Sequence, residues 1–159
     1  MTVTASPASL TALGTPHRGR ARDLMIDDMC WRRAFPGLPA EARRARDFVR
    51  FLVEGCPRAD DMALTAAELI NNAVRHTRSG LPGGSFTVEV RRGRGETALT
   101  VVDRGGPHEP RARSLADSAD PLELAESGRG LLTVGLTASR WYWSGGPAGR
   151  AVTAVFTAG

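Results

Sequence analysis

The chain has 159 residues, 42% of them hydrophobic, which is enough for one domain with a real core. No apolar run approaches the roughly 18–20 residues that span a bilayer, and the Thr-, Ser- and Ala-rich start lacks the continuous apolar stretch of a secretory signal, so no membrane partner is expected, and two cysteines in a domain of this size suit a reducing cytoplasm. The net charge is +4 with a pI near 10.3, but all 21 basic residues are arginines scattered beside acids, and few aromatics interleave with them, which argues against a nucleic-acid partner.

Residues 1–27, with Pro7, Gly14, Pro16 and Gly19 among small polar side chains, are expected to be a disordered tail ahead of a domain over 28–159. Cys30 to Phe35 reads as a first strand, stopped by Pro36-Gly37. Cys30 and Cys56 form no Cys-x-x-Cys pair and join no His cluster, so they read as small apolar residues in a reducing compartment and not as zinc ligands. Pro39 suits the first turn of a helix, in which Ala42, Ala45, Phe48, Val49 and Leu52 recur at helical spacing as far as Val53. Gly55 and Pro57 separate it from a second helix, Ala59 to His76, with Asp60 and Asp61 favourably placed in its first turn.

Phe86, Val88 and Val90 alternate with polar residues and predict a half-buried strand. Gly93 to Glu96 turns the chain into a further strand, through Leu99, Val101 and Val102, that ends at Asp103. The polar segment 104–127, broken by Pro107, Pro110 and Pro121, is long for a loop and is expected to be a lid. A short helix from about Gly128 to Ala138 precedes a last hairpin, Arg140–Ser144 and Ala151–Phe156. This order predicts an α/β fold, a two-layer sandwich with a mixed, mostly antiparallel sheet and helices packed on one face.

Three places carry chemistry. On the second helix, Leu69, Met62, Ala73, Ala66 and Ile70 make an apolar arc, and Thr65, Glu68, Asn72 and His76 fall within roughly 80° beside it. An acid and an amide at a core edge need partners. A magnesium ion takes oxygen ligands such as the Asn72 carbonyl, and Glu68, one turn earlier, could take a proton from a hydroxyl. A solvated helix edge explains the same pattern, and His76 also suits a helix C-terminus. Next, Asp103 closes a strand and is followed by Gly105 and Gly106. This is either an ordinary Asp-x-Gly turn or a place where a carboxylate accepts from the exocyclic amine of adenine. Finally, Gly128-Arg129-Gly130-Leu131 opens a helix whose free N–H groups and dipole suit phosphate oxygens. It has neither the Gly-Lys-Ser/Thr of a Walker loop nor the strand–turn–helix setting of a dinucleotide fold.

In order and spacing these segments resemble the ATP-binding motifs of the histidine-kinase/Hsp90-like (GHKL) ATPase superfamily. Glu68 to Asn72 with His76 is similar to its Asn motif, Asp103-x-Gly105 to its first glycine motif, and Gly128-x-Gly130-Leu131-x-x-Val134 to its second. The short chain with an extra first strand and helix is most similar to the anti-sigma-factor serine kinases and to stand-alone regulators of actinobacterial type. The resemblance implies a Bergerat-type fold, ATP and magnesium as cofactors, Asn72 as the metal ligand and Glu68 as the catalytic base. It also implies Asp103 on the adenine amine with Gly105 allowing close approach, and Gly128, Arg129 and Gly130 over the phosphates. The implied activity is a serine/threonine kinase acting on an antagonist (anti-anti-sigma) protein or holding a sigma factor, in some relatives as a homodimer. A non-catalytic, ATP-gated binding module is the alternative. Two departures from the pattern stand out: Pro107 occupies the place of a further glycine, and Ala151 stands where the last strand often presents a Thr.

Overall fold

The computed structural model describes residues 29–110 and 129–158. The expected tail and residues 111–127 of the expected lid lie outside them, as does Gly128. The elements are β1 (Met29–Pro36), α1 (Pro39–Val53), α2 (Ala59–His76), a 3-10 turn at Arg78–Gly80, β2 (Ser85–Arg92), β3 (Glu96–Asp103), α3 (Arg129–Thr137), β4 (Arg140–Gly146) and β5 (Gly149–Thr157). The five strands lie in the order β1-β2-β3-β5-β4, and every pairing is antiparallel. The two-layer α/β sandwich expected from the sequence is the fold observed, with the sheet antiparallel throughout the described strands and not mixed, because each strand pairs with a neighbour running the opposite way.

Alternation sets the inner face of the sheet. Phe35, Val88, Leu99, Val101, Ala154, Phe156 and Trp141 point to the helices and are at most 2% exposed. Phe35 and Phe86, opposite each other across β1 and β2, stack at 5.7 Å, and Phe48 of α1 meets Phe35 at 5.8 Å. Burying each such ring contributes roughly 1.5–3 kcal/mol. On the outer face, Thr100 and Thr153 pair by hydroxyl at 2.9 Å. There Arg140 reaches across β5 to grip both oxygens of Glu96 at 2.8 and 2.9 Å, and this hydrogen-bonded pair holds the Glu96 carboxyl below its ordinary range. Cys56 packs against the core as expected, but Cys30 is exposed on the edge strand, because its position in β1 faces away from the helices.

α2 is the central helix and packs against both α1 and α3. Its entry is unusual: Arg58 takes the left-handed conformation (φ 63°) at the N-cap, with no side-chain cap. The Arg58 guanidinium instead binds Asp61 at 3.1 Å, Ser139 Oγ at 2.8 Å and the carbonyl of Thr137, which ties the start of α2 to the end of α3. A second tie is the hydroxyl pair Thr65–Thr137 at 2.8 Å, with Thr65 fully buried. Together they fix how α3 lies along α2. No helix among the described residues is long and apolar enough to cross a membrane.

Candidate functional site

The polar flank of α2 is graded along its length. Thr65 is buried against α3, Glu68 and Asn72 are half-buried, and His76 is exposed at the C-terminus. The solvated-edge reading therefore fits only the last of these. Gly130 lies against Glu68 and Asn72. A Cβ there would stand 2.8 Å from Glu68 Oε2 and 3.4 Å from Asn72 Oδ1, so the backbone of the α3 entry rests directly on both side chains. Only glycine allows that approach without moving them.

Asp103 reaches the same region from the sheet. The turn after β3 is stitched to the turn after α2. Arg78 N–H donates to the Gly105 carbonyl at 2.8 Å, and Arg104 N–H donates to the buried Ser79 hydroxyl at 2.9 Å. Gly105 has φ +69°, and its own N–H donates to Asp103 Oδ1 at 2.6 Å. A side chain at Gly105 would run into the carbonyl of Pro147 in the β4–β5 turn, which Arg78 also holds through its guanidinium. Gly105→Ala is accordingly expected to cost roughly 2–4 kcal/mol, from left-handed backbone strain plus the clash, and to lower the melting temperature by on the order of 10 °C in a calorimetric scan. A melting point within about 2 °C of wild type would show that the β4–β5 turn simply moves aside.

Between α2 and the sheet opens a cavity of about 880 Å³, within the usual range for small-molecule sites. Its apolar wall is Leu69, Val101, Leu131 and Val152, suited to a flat ring. Its polar groups are Asn72, Arg75, His76 and Arg78 on one side, Asp103 and Arg150 on the other, and Gly106 to Pro110 across the mouth. Of the residues singled out from sequence, Asn72, His76, Asp103 and Leu131 line this cavity. Gly105 shapes the turn behind Asp103, and Gly130 lies against Glu68 and Asn72. Glu68 is not on the cavity wall. Gly128 falls outside the described residues, and Arg129 is placed only as the first residue of α3.

Asp103 is 9% exposed, and its carboxyl titrates above the ordinary aspartate range. Desolvation raises it, while the Gly105 N–H and the charge of Arg150 oppose the rise. One oxygen is occupied by Gly105, which leaves the other as an acceptor on the cavity wall.

Arg150 is the residue the sequence reading missed. Starting the last strand at Ala151 left Arg150 in the turn, whereas β5 begins at Gly149 and pairs Arg150 with Asp103. Extending the period-two row Phe156, Ala154, Val152 by one step would have placed an arginine on the core face. The Pro107 departure has a structural counterpart too: Gly106 keeps a carbonyl that accepts from Arg150 Nη2 at 2.7 Å, and Pro107 lines the cavity mouth.

An antiparallel sheet covered by helices on one face, with a helix amide, a strand-end carboxylate and a glycine-led helix meeting around one cavity, defines a two-layer sandwich of ATPase type. The chain belongs to the family of histidine kinase-like ATPase domains, whose sequence profile matches residues 35–156. Among solved structures, a chain of the SiaB–SiaC complex from Pseudomonas aeruginosa is similar with a TM-score of 0.55 at 17% identity, over 80% of this chain and 88% of that one. The RsbU and RsbW domains of Rv1364c from Mycobacterium tuberculosis give a TM-score of 0.59 at 18% identity, over 81% of this chain but only 32% of that longer chain. At such identities the likeness is one of fold. No curated protein matches the sequence significantly.

Proposed function

We propose that the chain binds ATP with magnesium in this cavity and transfers the γ-phosphoryl group to a serine or threonine of a partner protein. The observation that carries the reading is the meeting of the Gly130 backbone with Glu68 and Asn72 on one flank, facing a wall that holds Asp103. When bound, the nucleotide–metal pair supplies the transferable phosphoryl group and neutralises part of its charge. Asn72 would offer one oxygen to the metal, which is commonly held by one or two protein groups plus phosphates. Asp103 accepts from the adenine amine, and the apolar wall holds the ring. Gly128, Arg129 and Gly130 offer backbone N–H groups and charge to the phosphates, with His76 at the rim. In the transfer, Glu68 takes the proton of the partner hydroxyl as the new O–P bond forms and the bond from the γ-phosphorus to the bridging oxygen breaks, leaving ADP.

The family match supports the nucleotide. The two neighbours, one found in a two-protein complex and one beside an RsbU domain, support a protein partner of the partner-switching kind: an antagonist (anti-anti-sigma) protein, a sigma factor, or a second copy of this chain. Such a regulator would act in the cytoplasm. A second reading, an ATP-gated binding module without turnover, draws on one observation: Glu68 is covered by Gly130 and does not reach the cavity wall. Nucleotide-dependent capture of the partner with no phosphoryl transfer would favour it.

Thermal melting with Mg-ATP, with Mg-GTP and without nucleotide tests the common core of both readings. At about 100 times its dissociation constant, ATP should stabilise the fold by roughly 2.7 kcal/mol, whereas GTP, which presents an oxygen to Asp103, should not. Equal shifts with both nucleotides would remove Asp103 as the base-reading group, and no shift with either would remove the nucleotide.

A further inference from the structure

The row of β5 residues that faces the helices is Arg150, Val152, Ala154 and Phe156, at 4%, 7%, 0% and 1% exposure. A fully charged side chain thus occupies a position that the pleat reserves for the core. Its hydrogen bonds among the described residues go to backbone carbonyls: Nη1 donates to His108 and Nη2 to Gly106, at 2.7 Å for the latter. Nε is buried with no partner among the described residues, and the guanidinium carbon lies 6.0 Å from the centre of the Trp143 ring. A buried cation held by carbonyls and an aromatic face is a poor choice for stability alone, since an apolar residue of similar volume is often as good or better there.

What the arginine does is organise the segment next to Asp103. Beyond Asp103 the chain runs through two glycines, the residues with most backbone freedom, and then along the cavity mouth. Two N–H groups in one rigid plane, each taking a carbonyl of that segment, remove this freedom at a single stroke. In the β3–β5 register Arg150 is also the direct partner of Asp103, so its charge faces the carboxylate across the strands.

We propose that Arg150 is a positioning residue for base selection: by clamping the carbonyls of Gly106 and His108 beside Asp103, it holds that carboxylate and the turn after it as one fixed anionic edge of the cavity. The proposal rests on the reading of the cavity as a nucleotide site. The other charged or titratable groups around this end of the cavity are Arg75, His76, Arg78, His108 and Glu109, with Arg104 next in the chain. All of them are shared by the wild type and any Arg150 variant.

The experiment is calorimetric titration of the full chain with Mg-ATP and Mg-GTP between pH 5 and pH 8, for wild type, Arg150→Lys and Arg150→Gln, with melts of the unliganded proteins. Arg150→Gln should bind ATP at least tenfold more weakly, with the acid limb of its affinity profile moved to higher pH and the ATP/GTP ratio reduced. Arg150→Lys keeps the charge but not the planar two-carbonyl clamp. It should restore the acid limb while still losing about fivefold of the ATP/GTP ratio. Wild-type affinity, ratio and pH profile in both variants would overturn the proposal, as would a uniform loss for both nucleotides with no change in ratio or profile, the mark of a merely structural role. If Arg150→Gln fails to fold, the Lys variant decides alone: a wild-type ATP/GTP ratio overturns the clamp, and a reduced one supports it. Absence of ATP binding by the wild type is a separate outcome that refutes the nucleotide reading and, with it, the role built upon it.

Discussion

Asp103→Asn should weaken ATP binding markedly while leaving the unliganded fold at least as stable as wild type. The amide keeps an oxygen for the Gly105 N–H, which Asp103 Oδ1 accepts at 2.6 Å, so the turn survives. Its NH₂ then faces the cavity, where the adenine amine would meet a donor in place of an acceptor. A lost hydrogen bond to a charged group is worth about 1.5–3 kcal/mol, so affinity should fall roughly 10- to 100-fold. Stability moves the other way. Because burial raises the Asp103 pKa above its unfolded value, the group's contribution to stability is fully present below the unfolded pKa and is lost as pH rises through the folded one. At neutral pH the buried charge is therefore a cost that asparagine removes. Acidification should strengthen the unliganded fold through this group and weaken ATP binding, two opposite slopes on one side chain. Titration calorimetry and melts as a function of pH read both. Undiminished ATP affinity in the Asn variant would falsify the assignment of Asp103 to the base.

Glu68→Gln is the second large effect. If Glu68 accepts the hydroxyl proton, transfer to a co-expressed antagonist protein, followed with γ-labelled ATP, should drop by about 10²- to 10⁴-fold. Nucleotide binding should persist, because Glu68 is off the cavity wall while Asn72 and Asp103 remain on it. The fold should persist as well, since glutamine keeps the shape that Gly130 packs against. Labelled transfer at wild-type rate in the Gln variant would take Glu68 out of the mechanism. No transfer by the wild type, alongside nucleotide-dependent partner binding, would select the module without turnover.

Much of the fold was legible in local patterns. α1 and α2 run over Pro39–Val53 and Ala59–His76 as the 3.6-residue apolar rows and their Pro and Gly borders imply. The alternation around Val88 and Leu99 likewise gave β2 and β3 their inner faces. Half of the site could be placed the same way, because Glu68 and Asn72 are four residues apart on one helix and share a flank by geometry alone. The start of β5 was not legible: Gly-Pro-Ala-Gly looks like a turn up to its end, and an arginine looks solvent-facing unless the strand is known to begin earlier. The edge of α2 was ambiguous for a similar reason. Thr65 and His76 look alike in a helical projection, yet α3 buries one and leaves the other exposed.

By itself the sequence determined the periodicities, the turn residues and the identity of the acid, the amide and the glycines, since these depend on neighbours within one or two turns of chain. The tertiary structure alone decided that Gly130 lies against Glu68, that Asp103 is largely buried, and that Arg150 is buried opposite it. Each of those facts depends on which distant segment lies within a few ångströms, and both desolvation and close approach are set by that packing and by nothing local.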